Sequence, residues 1–258
     1  VCNNRHWEFQ LNFFLEKGYR VLIHNYRYHF GSKVAEGEIE DNCTFENMST
    51  DLEELLKHLN IDKVFLIGHS MGVNIALELI KRKKINISGQ VLISGTPFDP
   101  KDSMFNTNKS HDIIPLIKKL MIKNPYLFKR CWANGYRLPI IRKLVLHGGF
   151  HPKMIEDEFV KYYLQKIGEL DPKIFFKLMD EMGSQSMITS LPNVNMPTLV
   201  MGGDKDTIAP ISSQLIFKNL INNADFYLIK DGSHVPQADF PDSVNQKIFQ
   251  FLSQYSRH

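Results

Sequence analysis

The spacing of apolar residues divides the chain into three stretches. In the first, Trp7, Leu11, Phe14 and Leu15 recur at helical intervals and stop at Gly18, a helix end. Tyr19-Arg20-Val21-Leu22-Ile23 then reads as a strand that runs into a polar loop through Gly31 and Gly37. Met48, Leu52, Leu55, Leu56 and Leu59 form the stripe of a second helix, with Thr50 and Glu53 at capping-box spacing. Lys63-Val64-Phe65-Leu66-Ile67 is short, apolar and β-branched, as a buried strand is. The helical run Val73–Ile80 follows, closed by Lys81-Arg82-Lys83-Lys84, and Gln90–Ile93 reads as another buried strand. Strand and helix in alternation predict a parallel sheet with helices on both faces.

From about Pro97 to Pro192 strand character fades and helical periodicity takes over. Ile113, Leu116, Ile117, Leu120 and Met121 share one face, with Lys118, Lys119 and Lys123 off it. Phe159, Tyr162, Tyr163 and Ile167 share a second, and Phe175, Phe176, Met179 and Met182 a third. These faces predict a helical insertion with its own core. Trp132, Phe159 and Phe175 are candidates to line a lid over a site, which is compatible with a core role. The sheet rhythm then returns with the strand Pro197–Met201, a helix from about Ile211 to Leu220, the strand Asp225–Ile229 and a last helix through Val244, Ile248, Phe251 and Leu252. The expected organisation is an α/β core over 1–96 and 193–258, interrupted by a helical cap over 97–192.

Composition changes this picture little. A formal charge of +3 over 258 residues gives no reason to expect a nucleic-acid partner. Cys2, Cys43 and Cys131 are too far apart for a disulfide framework or a metal knuckle. No apolar run is long enough to span a bilayer, so stable membrane insertion is not expected. Nothing at the N-terminus resembles a signal peptide, which gives a cytoplasmic expectation, although the chain opens on Val1 rather than Met.

The candidate chemistry sits at the ends of the strands. Gly68-His69-Ser70-Met71-Gly72 fits G-x-S-x-G and lies between a strand and a helix, the setting of a nucleophile elbow. A serine hydroxyl needs a base to take its proton, and an imidazole base needs a carboxylate to hold its tautomer. The chain supplies both after later strands: Gly203-Asp204-Lys205-Asp206, then Asp231-Gly232-Ser233-His234.

On these segments, together with Pro197-Thr198-Leu199-Val200, the chain resembles the α/β-hydrolase superfamily everywhere except in the insertion. The resemblance implies Ser70 as nucleophile, His234 as general base and Met71 as donor of an oxyanion-hole N–H. It selects Asp206, third after the loop glycine, as the acid; Asp204 is then a turn residue, and Asp231 is disfavoured by its closeness to His234. Ser70 argues against relatives that use an aspartate nucleophile. The expected activity is hydrolysis of esters of small to medium apolar acyl groups through an acyl-serine, without metal or organic cofactor. Alternatives are a non-catalytic ligand receptor, an acyltransferase or perhydrolase, or a carbon–carbon bond hydrolase.

Two departures from the superfamily pattern stand out. Asn25-Tyr26-Arg27-Tyr28-His29-Phe30-Gly31-Ser32 replaces the usual Asp-x-Arg-Gly, keeping the Arg and a later Gly-Ser. The His-Gly segment that normally carries a second oxyanion donor is also absent, which leaves Val1 or Cys2 as candidates. On the same resemblance, the natural protein is expected to extend upstream by at least one apolar strand ending in His-Gly.

Overall fold

The computed structural model describes residues 4–32, 42–104, 110–184 and 187–256. Among these residues four strands form one parallel sheet: β1 (Lys63–His69), β2 (Asn86–Ile93), β3 (Thr198–Gly203) and β4 (Ala224–Ile229), side by side in that order. The register pairs Ile67 with Val91, Leu92 with Val200, and Met201 with Tyr227. Alternation of side chains across the sheet feeds two cores. Leu66, Leu92 and Val200 pack on α3 (Met71–Arg82) and α9 (Ile211–Leu220) through Val73, Leu77 and Phe217. Val91, Ile93, Leu199 and Met201 turn the other way, onto α1 (Glu8–Glu16) and α10 (Pro241–Tyr255) through Phe14, Val244, Ile248 and Phe251.

Between β2 and β3 the described chain is helical: α4 (Ser110–Lys123), α5 (Pro125–Asn134), α6 (Pro139–Gly149), α7 (Asp157–Glu169) and α8 (Pro172–Ser184). α7 and α8 turn apolar faces inward, but these are offset from the expected ones: Tyr162, Tyr163, Ile167, Phe175 and Met179 are only half-buried, and Val160, Leu164, Ile174 and Leu178 take the buried places. Phe159, Val160 and Leu164 pack with Phe150, Val235 and Ala238, while Ile174, Leu178 and Met182 pack with Met71 and Ile75 of α3.

Four further expectations need correction. Tyr19–Ile23 does not form a strand. A strand needs a hydrogen-bonding neighbour about 4.8 Å away, and here β1 is the sheet edge among the described residues. A cavity of about 510 Å³, walled by Trp7, Tyr19, Val21, Ile23, Phe65 and Ile67, lies beside that edge. The helix with the Met48 stripe, α2 (Phe45–His58), starts five residues before the expected capping box, because the Thr44 side chain accepts the Asn47 N–H as its N-cap. Glu53 is instead buried in mid-helix, bonded to Lys57 and Arg82. The third correction concerns α4, whose Ile113, Leu116 and Leu120 face solvent and do not form a core. Leu15 is likewise exposed, lying beyond the reach of the core that holds Phe14.

Candidate active site

Ser70 occupies the single residue between β1 and α3, with φ 53° and ψ −123°. Positive φ at a residue with a Cβ costs on the order of 1–3 kcal/mol and persists only where the surroundings impose it. Here the Ser70 N–H donates to the Ile93 carbonyl at 2.9 Å, and its own carbonyl accepts the Val73 N–H at 2.9 Å. The turn closes so tightly that a Cβ at Gly68 would lie 2.7 Å from the Gly72 carbonyl oxygen. The requirement for glycine at this position therefore comes from contact.

The other two side chains arrive on loops that lean on each other. Gly203 ends β3 against Gly232, where any Cβ would collide with the Gly232 carbonyl. The Lys205 N–H donates to that same carbonyl at 2.9 Å. Asp206 is buried, and its Oδ1 accepts the backbone N–H groups of Ile208 at 2.9 Å and Ala209 at 2.8 Å. The carboxylate, fixed this way, faces Nδ1 of His234 at 3.0 and 3.1 Å. Nε2 of His234 lies 3.0 Å from Ser70 Oγ. Nδ1–H donating to a carboxylate leaves Nε2 free to accept the hydroxyl proton, so the series can carry a proton off Oγ and stabilise the resulting imidazolium. Asp204 makes no hydrogen bond to the imidazole among the described residues; its Oδ1 is buried without a partner, and its N–H donates to the Ile229 carbonyl at 3.2 Å. Asp231 is exposed, in a turn with φ 58°.

Met71 opens α3, so its N–H is among those a helix leaves outside its own ladder, on the serine side. Val1 and Cys2, the candidates for a second donor, lie outside the described residues. Phe175 packs in the cluster that holds Met71, and Phe159 in the one that holds Val235, the residue after His234. Trp132 contacts Phe175 and Phe176, and its indole N–H is shared by the carbonyls of Ile167 and Leu170, each at 3.0 Å. That is an anchoring role within the helical segment.

Sequence reasoning missed a buried histidine pair behind the imidazole. Nε2 of His69 lies 2.6 Å from the His234 carbonyl oxygen, and its Nδ1 lies 3.1 Å from Nε2 of His6. Burial, then the neighbouring His6 and His234, pushes the His69 pKa well below the usual imidazole value, so the ring is neutral. A neutral ring facing a carbonyl through Nε2 carries its proton there, which leaves its Nδ1 as the unprotonated nitrogen on the His6 side. Asp239 is a second omission. It accepts the Ser233 N–H at 2.8 Å and the His151 N–H at 3.4 Å, tying down the histidine loop, and burial raises its pKa. His6 and Asp239 belong to no local motif. The only available signal was a histidine inside the elbow pentapeptide itself. Among the described residues, no group of three or more His, Cys, Asp or Glu side chains could hold a metal ion.

Comparison with known proteins agrees with this architecture. A family model described as "alpha/beta hydrolase fold" matches residues 2–115. The non-heme chloroperoxidase CPO-A1 of Kitasatospora aureofaciens is 25% identical over 262 residues, covering 97% of this chain and 88% of that protein. Among solved structures, a bromoperoxidase from Bacillus anthracis superimposes with a TM-score of 0.78 at 21% identity, covering 98% of this chain and 88% of the other. An esterase from Exiguobacterium antarcticum gives 0.74 at 17% identity with the same coverage. At such identities the structural likenesses speak for the fold. With the sheet order, the elbow and the loop positions, they lead to one assignment: the chain has the α/β-hydrolase fold.

Proposed function

We propose that this protein is a serine hydrolase that cleaves carboxylic esters of small to medium apolar acyl groups. The observation that carries the reading is the hydrogen-bonded series Ser70–His234–Asp206, with contacts of 3.0 to 3.1 Å. In the first half-reaction Ser70 Oγ attacks the ester carbonyl carbon while its proton passes to Nε2 of His234. The Met71 N–H donates to the oxygen that becomes negative. The bond to the alcohol oxygen then breaks, and His234 returns its proton to the departing alkoxide. In the second half a water loses its proton to His234 and attacks the acyl-serine, freeing the acid and restoring the hydroxyl. Asp206 holds the ring and stabilises its charged form without taking the proton. The helical stretch over 97–192 acts as a cap, with Phe159 and Phe175 lining the acyl path and Trp132 fixing the helices that carry it.

A second reading is favoured by the relatives named as haloperoxidases. Hydrogen peroxide replaces water as acyl acceptor, giving a peracid from the same acyl-serine. Both readings require Ser70. A fluorophosphonate probe is expected to add once to the intact protein and not at all to Ser70→Ala. Adduct on the mutant would remove the assignment. Product analysis of an acetate ester with and without peroxide then separates acid from peracid.

A further inference from the structure

The outward surface of the helical stretch after β2 has no role in the chemistry above, and its composition is unlike the rest of the chain. Residues 110–149 contain eight Lys and Arg but a single acidic residue, Asp112. Because the whole chain carries only +3, the remainder has an acidic surplus. Lys118, Lys129 and Arg142 are paired with Asp180, Asp171 and Asp157. Among the described residues, Lys119, Lys123 and Arg130 have no acidic partner and are exposed.

The same helices hold eight of the fifteen exposed large apolar side chains found among the described residues. Leu116 and Leu120 stand on α4, Ile122 and Tyr126 at the α4–α5 junction, and Leu138 and Ile140 at the start of α6. Ile122 and Tyr126 are 77% and 78% exposed. Only Ser110 and Ile114 of α4 are buried, and no residue of α5 is. Single exposed apolar residues are ordinary; eight on three consecutive helices that also carry three cations without an acidic partner are not.

We propose that this surface docks the protein peripherally on a lipid bilayer bearing anionic headgroups. Cations among protruding aliphatic and aromatic tips match the two layers of such a surface: the cations meet the headgroups while the tips enter the acyl boundary. Aliphatic tips need no shape match in an acyl layer, whereas a protein partner needs a complementary face. Nucleic-acid surfaces favour stacking aromatics and polar contacts over exposed Leu and Ile. The docking is peripheral, as no helix among the described residues is long and apolar enough to cross a membrane. From this surface α6 leads directly to the candidate site, where Gly148 and Gly149 accept hydrogen bonds from Thr207 and Ser233.

The test is co-sedimentation with vesicles of phosphatidylcholine alone or mixed with phosphatidylserine, at low and high salt. It needs no turnover, so its outcome is independent of the esterase reading. Binding is expected to the mixed vesicles only and to weaken with salt. The variant Lys119→Glu/Lys123→Glu/Arg130→Glu should lower the partition coefficient by roughly tenfold or more, since each cation near an anionic surface contributes on the order of a fivefold factor. Ile122→Gln/Tyr126→Gln should lower it as well while leaving the salt dependence in place. All five side chains are exposed, so melting temperatures should stay near that of the parent protein. Equal binding to both vesicle types, unchanged binding by the charge-reversal variant, or retention only by an acidic protein or by RNA in place of vesicles would overturn the proposal.

Discussion

At the scale of single residues, the strongest demand falls on Asp206. Its carboxylate accepts two backbone N–H groups and the imidazole at once, an arrangement that only a charged acceptor satisfies fully. Asp206→Asn puts an amide where the ring donates and is expected to lower kcat for a chromogenic ester by roughly 10⁴-fold, the scale found when a triad aspartate loses its charge. Asp204→Asn, whose side chain makes no hydrogen bond to the imidazole among the described residues, should cost less than tenfold. Steady-state rates on both folded variants decide the matter, and the reverse ranking would transfer the role to Asp204. Residues of this kind were legible because strand, tight turn and functional side chain are contiguous in sequence. Ser70, Asp206 and His234 each announce themselves within five residues. His6, His69 and Asp239 do not, since their partners lie 63, 165 and 6 residues away and follow only from the fold.

At the scale of elements, Glu53 shows how a charge can join two helices. It is buried on α2 and bonds Lys57 of its own helix at 2.7 Å and Arg82 at the end of α3 at 3.0 Å. The Lys57 hydrogen bond, opposed by burial and reinforced by Arg82, holds its carboxyl down to about 2. A depressed carboxyl stabilises the fold above its unfolded value of 4.5, and that contribution is lost as pH falls from there through about 2. Glu53→Gln should therefore cost roughly 2 kcal/mol at pH 7 and progressively less in acid. Urea midpoints of both proteins at several pH values would show it, and a pH-independent gap would refute it. A second expectation concerns the helical segment. If Phe175 lines the acyl path, Phe175→Ala should change the preference between long and short esters more than it slows a short one. Equal losses on both, with a lower melting temperature, would assign it to packing alone. The sheet strands were readable because each is bracketed by apolar partners on both faces. Tyr19–Ile23 has equal β propensity but lies across a cavity from β1 with no ladder to join, and propensity without a partner does not make a strand. The face of α4 failed for a related reason: period 3.6 reports amphipathicity and not what the apolar side meets.

At the scale of the whole molecule, burial of histidines ties stability to mildly acid pH. Burial lowers the pKa of His24, that of His29 to about 4, and that of His69 well below the ordinary value. All three are neutral in the folded protein over a range where the unfolded chain, titrating near 6.5, already binds protons. The sign follows: stability from this source is complete above about pH 6.5 and declines as the pH falls toward 4. For His29 alone the loss at pH 5 is about 2 kcal/mol, large beside the total stability of a typical domain. The melting temperature should accordingly fall several degrees between pH 7 and pH 5, before most carboxylates titrate. His29 provides the internal control. Its Nδ1 bonds the Arg27 carbonyl at 2.9 Å while its ring is fully buried, so His29→Gln keeps a donor there and removes the titration. That variant should melt with a shallower acid slope than the parent, whatever its stability at pH 7. Parallel slopes for the two proteins between pH 7 and pH 5 would show that His29 takes its proton as readily folded as unfolded, and that the acid sensitivity lies elsewhere.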